Sequence, residues 1–211
     1  MHPALKRIAE TILRATYAYG LPVLAKREEL PYILNARALI GAGAEIGVRE
    51  GEFSKYLLEH WKGKLLYSVD PWKEYPREEY PDISNVDQKR HDQCYQTAIK
   101  RLGGFGERSR VMRMTSEEAA SNMEDDSLDF VYIDAMHHYA AVKQDLNLWY
   151  PKVRAKGVLC GDDFLDGTIR GTVFEVKRAV LEFADSLGCK VWVGAREPIF
   201  KTWLMFKGKE T

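Results

Sequence analysis

Hydrophobic positions along the chain alternate between two periods. Short apolar runs closed by acidic or turn residues read as buried parallel strands: "GAEIGV" (43–48), "KLLYSVD" (64–70), "RVMRM" (110–114), "LDFVYID" (128–134) and "GVLCGDDF" (157–164). Between them the apolar spacing becomes helical, in "EFSKYLLEHW" (52–61), "RHDQCYQTAIKRL" (90–102), "SEEAASNM" (116–123), "YAAVKQDLNLWYPKV" (139–153) and "TVFEVKRAVLEFADSLG" (172–188). Gly103-Gly104, Pro151 and Gly188 supply the stops, and Ser116 reads as the residue opening the third of these helices. An amphipathic helix is expected from Pro3 to Tyr19, closed by Gly20-Leu21-Pro22, and "CKVWVGAREPIFKTWLMFKG" (189–208) reads as a terminal hairpin. Strands alternating with helices predict an α/β doubly wound, mostly parallel seven-stranded sheet, with the hairpin adding one antiparallel strand. Residues 1–35 are expected to form a helical cap or lid, and 36–211 the main domain.

The chain has 211 residues, 45% of them hydrophobic and 29% charged, enough to bury a core. Formal net charge is +0, so neither nucleic acid nor an anionic membrane is an expected partner. Cys94, Cys160 and Cys189 lie far apart, which argues against a disulfide scaffold or zinc knuckle. The N-terminal stretch is interrupted by Lys6, Arg7, Glu10 and Arg14, and no apolar run is long enough to span a bilayer, so a cytoplasmic location is expected. The first helix can lie over the site or against a second subunit in a homodimer.

Candidate chemistry clusters at predicted strand ends, the edge where open α/β sheets bind ligands. Glu45, Gly47 and Gly51 form ExGxxxG between a strand and a helix. Counting from Gly41 and Gly43, the third position of a dinucleotide GxGxxG falls on Ile46, which argues against a nicotinamide oxidoreductase. The turn either admits a ligand close to the backbone or is simply tight. Asp70 can accept from ribose hydroxyls or cap a turn, and Ser116-Glu117 can begin a helix, face an adenine edge, or both. Asp134 and the Asp162-Asp163 pair follow two strands that, as neighbours, would run about 4.8 Å apart. Three such acids would repel one another without a cation, and a hard ion such as Mg²⁺ suits oxygen ligands. A polar turn is the plainer account. The irregular stretch 71–88 is a candidate substrate loop, whose Trp72, Tyr75 and Tyr80 either line a pocket or pack the loop down.

The ordered set Glu45, Asp70, Ser116, Asp134 and Asp162-Asp163 resembles class I S-adenosylmethionine-dependent methyltransferases with their Rossmann-like fold. "YIDAMHHY…DL..WYPKVRAKGVLCGDDF" is similar to the divalent-metal-dependent small-molecule O-methyltransferases, the catechol, caffeoyl-CoA and macrolide or aminocoumarin sugar enzymes. The resemblance implies a methionine-end pocket at Glu45, Gly47, Gly51 and Ser54, ribose at Asp70, adenine at Ser116 and Glu117, and metal at Asp134, Asp162 and Asp163. It places Asp134 at the donor site as well. His137 stands three residues beyond the first metal acid, where the catechol enzymes carry a lysine base. His137, or His138 beside it, is therefore the expected base, acting on a small hydroxylated acceptor. A metal-independent methyltransferase using either histidine, and a donor-binding module without catalysis, are the alternatives.

Overall fold

The computed structural model describes residues 24–208; the expected helix at 3–19 lies outside them. Among the described residues nine strands run in chain order: β1 Ala42–Ile46, β2 Leu65–Asp70, β3 Ser109–Arg113, β4 Leu128–Ile133, β5 Val153–Gly161, β6 Asp166–Ile169, β7 Thr172–Glu175, β8 Trp192–Val193 and β9 Trp203–Phe206. The helices are α1 Leu30–Ala36, α2 Glu52–His60, α3 Gln88–Leu102, α4 Ser116–Ser121, α5 Tyr139–Trp149 and α6 Val176–Leu187.

Seven strands form one sheet in the order β3-β2-β1-β4-β5-β9-β8. β1 pairs in parallel with both β2 and β4, and β9 runs antiparallel to β5 and β8. The expected doubly wound sheet with one antiparallel strand is therefore present. The chain lays β1, β2 and β3 to one side, then returns to begin β4 on the other side of β1. That reversal opens the crevice at the carboxyl ends of β1 and β4.

Two apolar layers cover the sheet. Ile46, Val131, Ile133 and Trp203 meet Leu146 and Trp149 of α5 and Val180 of α6 on one face. Phe130, Tyr132, Leu66 and Leu204 meet Leu30, Ile33 and Leu34 of α1 and Leu57 of α2 on the other. From Phe130 to Ile133 the two-residue period of β4 sorts its side chains between these layers, and all six residues of the strand are buried.

Several boundaries differ from the sequence reading. α1 was not anticipated; Pro31 in its first turn suits a helix start. The segment beginning at Thr172 is strand before it is helix: β6 and β7 form a separate hairpin around Arg170 and Gly171, with φ of 52° and 85°. Two successive positive φ values match the twist of a two-residue hairpin turn, so α6 starts only at Val176. α4 is capped by Thr115, not Ser116, through reciprocal bonds between Thr115 and Glu118.

Residues 71–87 contain no helix or strand, yet they are ordered by their own side chains. Asn85 is buried, accepts from Tyr75 N, and donates to the carbonyls of Tyr75 (2.9 Å) and Tyr80 (2.8 Å). Trp72 is buried with Val48, Cys94 and Ala98 and donates to Arg49 O, so it packs the loop down instead of lining a pocket. Asn85→Ala leaves three backbone groups without these partners, and should destabilise the loop by about 1–3 kcal/mol. Amide hydrogen exchange over residues 75–85 should accelerate while sheet protection holds; unchanged exchange would refute this role.

Candidate functional site

The end of β1 is built on a buried carboxyl and a glycine turn. Glu45 is 2% exposed and accepts a short hydrogen bond from Ser54 Oγ, which in turn accepts from Ser68 Oγ at 3.0 Å. Burial raises the Glu45 carboxyl to about 8, with the Ser54 bond opposing. An ammonium brought to this group would hold it ionised. Gly47 has φ of 90°, and a Cβ there would stand 1.8 Å from the Asp134 carbonyl oxygen. No side chain fits between these strand ends. Gly51, with φ of 74°, is the N-cap of α2.

Asp70, at the end of β2, holds this turn together. One carboxylate oxygen accepts from Val48 N (3.0 Å) and Arg49 N (2.9 Å), the other from Trp72 N (2.7 Å). A carboxylate has about four acceptor sites, so one remains for a hydroxyl. Ser116 instead turns toward the helix layer: Oγ donates to Asp145 and accepts from Trp149 Nε1 at 2.8 Å. Glu117 accepts from Gln144 Nε2 at the surface. Asp145 was not anticipated in the sequence, because a lone acid on an amphipathic helix carries no signal of burial.

The strand ends of β4 and β5 carry the acid cluster. Asp134 N donates to Ile46 O (2.7 Å) and Asp162 N to Ile133 O (3.1 Å), so sheet-like pairing continues into the site. Asp163 has φ of 56°, and its carboxylate lies 2.9 Å from His137 Nε2. His137 Nδ1 is 2.9 Å from Asp82 Oδ2, in the irregular loop, and the His137 ring lies 4.6 Å from that of Phe174. Asp162 faces elsewhere: Oδ2 accepts from Arg27 Nη1 at 3.2 Å, and the same nitrogen is 3.9 Å from Asp134 Oδ2. His138 is the N-cap of α5 without a side-chain capping bond. Neither Asp82 nor Arg27 was anticipated, since both come from segments without periodicity or motif.

Four carboxylates here share two cationic groups, Arg27 and His137. The surplus of negative charge is felt locally. Asp134 is raised to about 7 by burial, then by Asp162 and Asp163, and Asp162 to about 6 by burial and Asp163. Burial disfavours the His137 imidazolium, but hydrogen bonds to Asp163 and Asp82 outweigh it and raise the ring to about 10. Asp82 is lowered to about 2: burial opposes, and bonds from His137 and Ser84 prevail. One ligand atom each from Asp134, His137 and Asp163 lies within 4.8 Å of the others, a donor set of oxygens and an imidazole that fits a divalent cation. The expected set was Asp134, Asp162 and Asp163; Asp162 lies on Arg27 and His137 stands among the grouped atoms.

Among the described residues no helix is long and apolar enough to cross a membrane. A family model described as a methyltransferase domain matches residues 44–164, from β1 through the acid pair. An uncharacterized protein of Sinorhizobium fredii, y4gI, is 38% identical over 55 residues, 26% of this chain and only 6% of that protein. The fold is similar to that of a candidate caffeoyl-CoA O-methyltransferase from Staphylococcus aureus, with a TM-score of 0.64 and 16% identity, covering 94% of this chain and 92% of that one. It is also similar to TomG, an O-methyltransferase of tomaymycin synthesis from Streptomyces achromogenes, solved with S-adenosylmethionine. There the TM-score is 0.55 at 17% identity, covering 99% and 91%. At these identities the likeness is one of fold.

Asp145 offers a test of the helix layer behind the site. It is buried, and burial raises its carboxyl to about 6, the Ser116 bond opposing. Because the folded-state value exceeds the unfolded one, its stabilising contribution is complete below about pH 4 and is lost as pH rises through 6. Asp145→Asn should therefore match the wild type near pH 4 and exceed it by on the order of 2 kcal/mol at pH 7. Urea unfolding at both pH values measures this; a pH-independent difference would reject the assignment.

Proposed function

The chain belongs to the methyltransferase-domain family of S-adenosylmethionine-dependent enzymes, and on that premise we propose that it methylates a hydroxyl of a small acceptor with the help of a divalent cation. One observation carries the reading: Asp134, Asp163 and His137 meet at the β4 and β5 ends, directly beside the Glu45–Gly51 turn. When bound, the donor supplies an electrophilic methyl group, and the cation acidifies and orients the hydroxyl that receives it.

The chain's own residues then have separable tasks. Glu45 meets the donor's ammonium, Gly47 and Gly51 let the backbone turn beside it, and Ser54 orients the Glu45 carboxyl. The free acceptor site on Asp70 takes a ribose hydroxyl. Asp134 and Asp163 provide carboxylate oxygens for the cation. Asp82 fixes Nδ1 of His137, and the bond to Asp163 helps keep the ring protonated; Nε2 takes the hydroxyl proton only once Asp163 is engaged by the cation and no longer accepts from it. Phe174, its ring tilted beside that of His137, offers an apolar wall on the acceptor side.

An acceptor screen with isotopically labelled donor, run with Mg²⁺ and with chelator, tests the reading. Turnover should require the ion, and Asp134→Ala should lower it by about a hundredfold or more while donor binding by calorimetry largely survives. Chelator-resistant turnover, or undiminished turnover in Asp134→Ala, would overturn metal assistance. His137→Gln should depress the rate without weakening donor binding; an unchanged rate would remove His137 as the base.

A further inference from the structure

Asp162 and Asp163 are adjacent in sequence but face different cations. The left-handed conformation of Asp163 accompanies a carboxylate on His137, whereas Asp162 Oδ2 lies 3.2 Å from Arg27 Nη1. Arg27 begins a single 3-10 turn, Arg27–Glu29, that precedes α1, and this turn is anchored at its backbone. Arg27 N donates to Glu197 Oε1 (2.9 Å), and Ala25 N donates to Glu29 Oε2 (2.8 Å). The guanidinium also lies over the Phe53 ring, 5.2 Å from its centroid. It therefore enters the acid cluster from a fixed base, with an aromatic face beneath it. At 3.9 Å from Asp134 Oδ2 it makes no hydrogen bond there, but its charge still acts on that carboxylate.

These contacts divide the carboxylates into two groups. A guanidinium stays charged at any working pH, so it is a permanent counter-ion. One Asp162 oxygen is occupied by Arg27 and the other by the Asp163 backbone N–H at 3.0 Å. Asp134 and Asp163, by contrast, group with His137 within ion-binding distance.

We propose that Arg27 is a tethered counter-ion that withdraws Asp162 from the cation site, leaving Asp134 and Asp163 as its carboxylate ligands and setting a lower affinity for the divalent ion. The inference rests on the metal-assisted reading above. Arg27 acts as a fixed positive charge that the ion must tolerate as a neighbour. Removing it restores negative potential to the cluster and frees Asp162 as a further ligand.

The test uses the full-length chain with Mn²⁺ alone as probe, followed by calorimetry and by the electron paramagnetic resonance of the free ion. Arg27→Met keeps an aliphatic stem over Phe53 and should bind Mn²⁺ more tightly by about tenfold, the order expected for removing a cation a few ångströms from the ligands. Arg27→Lys, which retains the charge, should stay close to wild type. Asp162→Asn should change affinity by no more than about threefold, whereas Asp163→Asn should lose most binding. Circular dichroism checks that each variant is folded, and Arg27→Gln replaces Arg27→Met if the latter is not. Mn²⁺ bound by wild type but no more tightly by Arg27→Met, or abolished by Asp162→Asn, would overturn this inference alone. No binding by either wild type or Arg27→Met would overturn the metal-assisted reading together with it. Binding by Arg27→Met but not by wild type would support the tethered charge.

Discussion

The contact between Gly47 and the Asp134 carbonyl is the constraint on which the site depends. β1 and β4 are neighbours at the reversal of strand order, and their carboxyl ends converge so closely that a Cβ on Gly47 would fall 1.8 Å from that oxygen. The backbone bond from Asp134 N to Ile46 O locks the same approach. As a result the turn carrying Glu45 and Gly51 and the strand end carrying Asp134 share one crevice. A glycine turn and an acid cluster that lie far apart in the chain become parts of a single crevice.

Charge balance shapes the other half of the site. Four carboxylates crowd where, among the described residues, Arg27 and His137 bring positive charge. Such a cluster is costly in a partly buried place unless each group is hydrogen-bonded or paired. The fold meets this with partners drawn from remote segments: the turn before α1 supplies Arg27 to Asp162, and the segment before α5 supplies His137, which bridges Asp163 to Asp82 of the irregular loop. The loop is therefore held by two kinds of bond. Asn85 ties it to itself, while Asp82 ties it to His137.

The elements with strong periodicity were legible. Runs such as "LDFVYID" are dominated by apolar residues, and all of β4 is buried, Asp129 through its bonds from Gly41 N and Arg154. The hairpin at Arg170-Gly171 was missed because the apolar residues after it also satisfy a helical period, and "TVFE" joined smoothly to the true helix. Only the pairing of Asp166 to Ile169 with Thr172 to Glu175 separates the two. Ser116 was read as a cap because it precedes two acids, but Thr115 stands at the spacing that lets Glu118 return the bond.

Local chemistry along the chain determined the strand ends, the glycine turn and the acids at those ends, because each is a short-range consequence of residue type and period. Which of those acids face one another, and which face a cation, depended on groups brought in from afar. Asp162 and Asp163 are chemically identical neighbours, and nothing in their order distinguishes them. The tertiary structure does, by setting Arg27 beside one and His137 beside the other. Electrostatic pairing acts through space across segments that sequence separation does not order, so the assignment of partners was decided only by the folded chain.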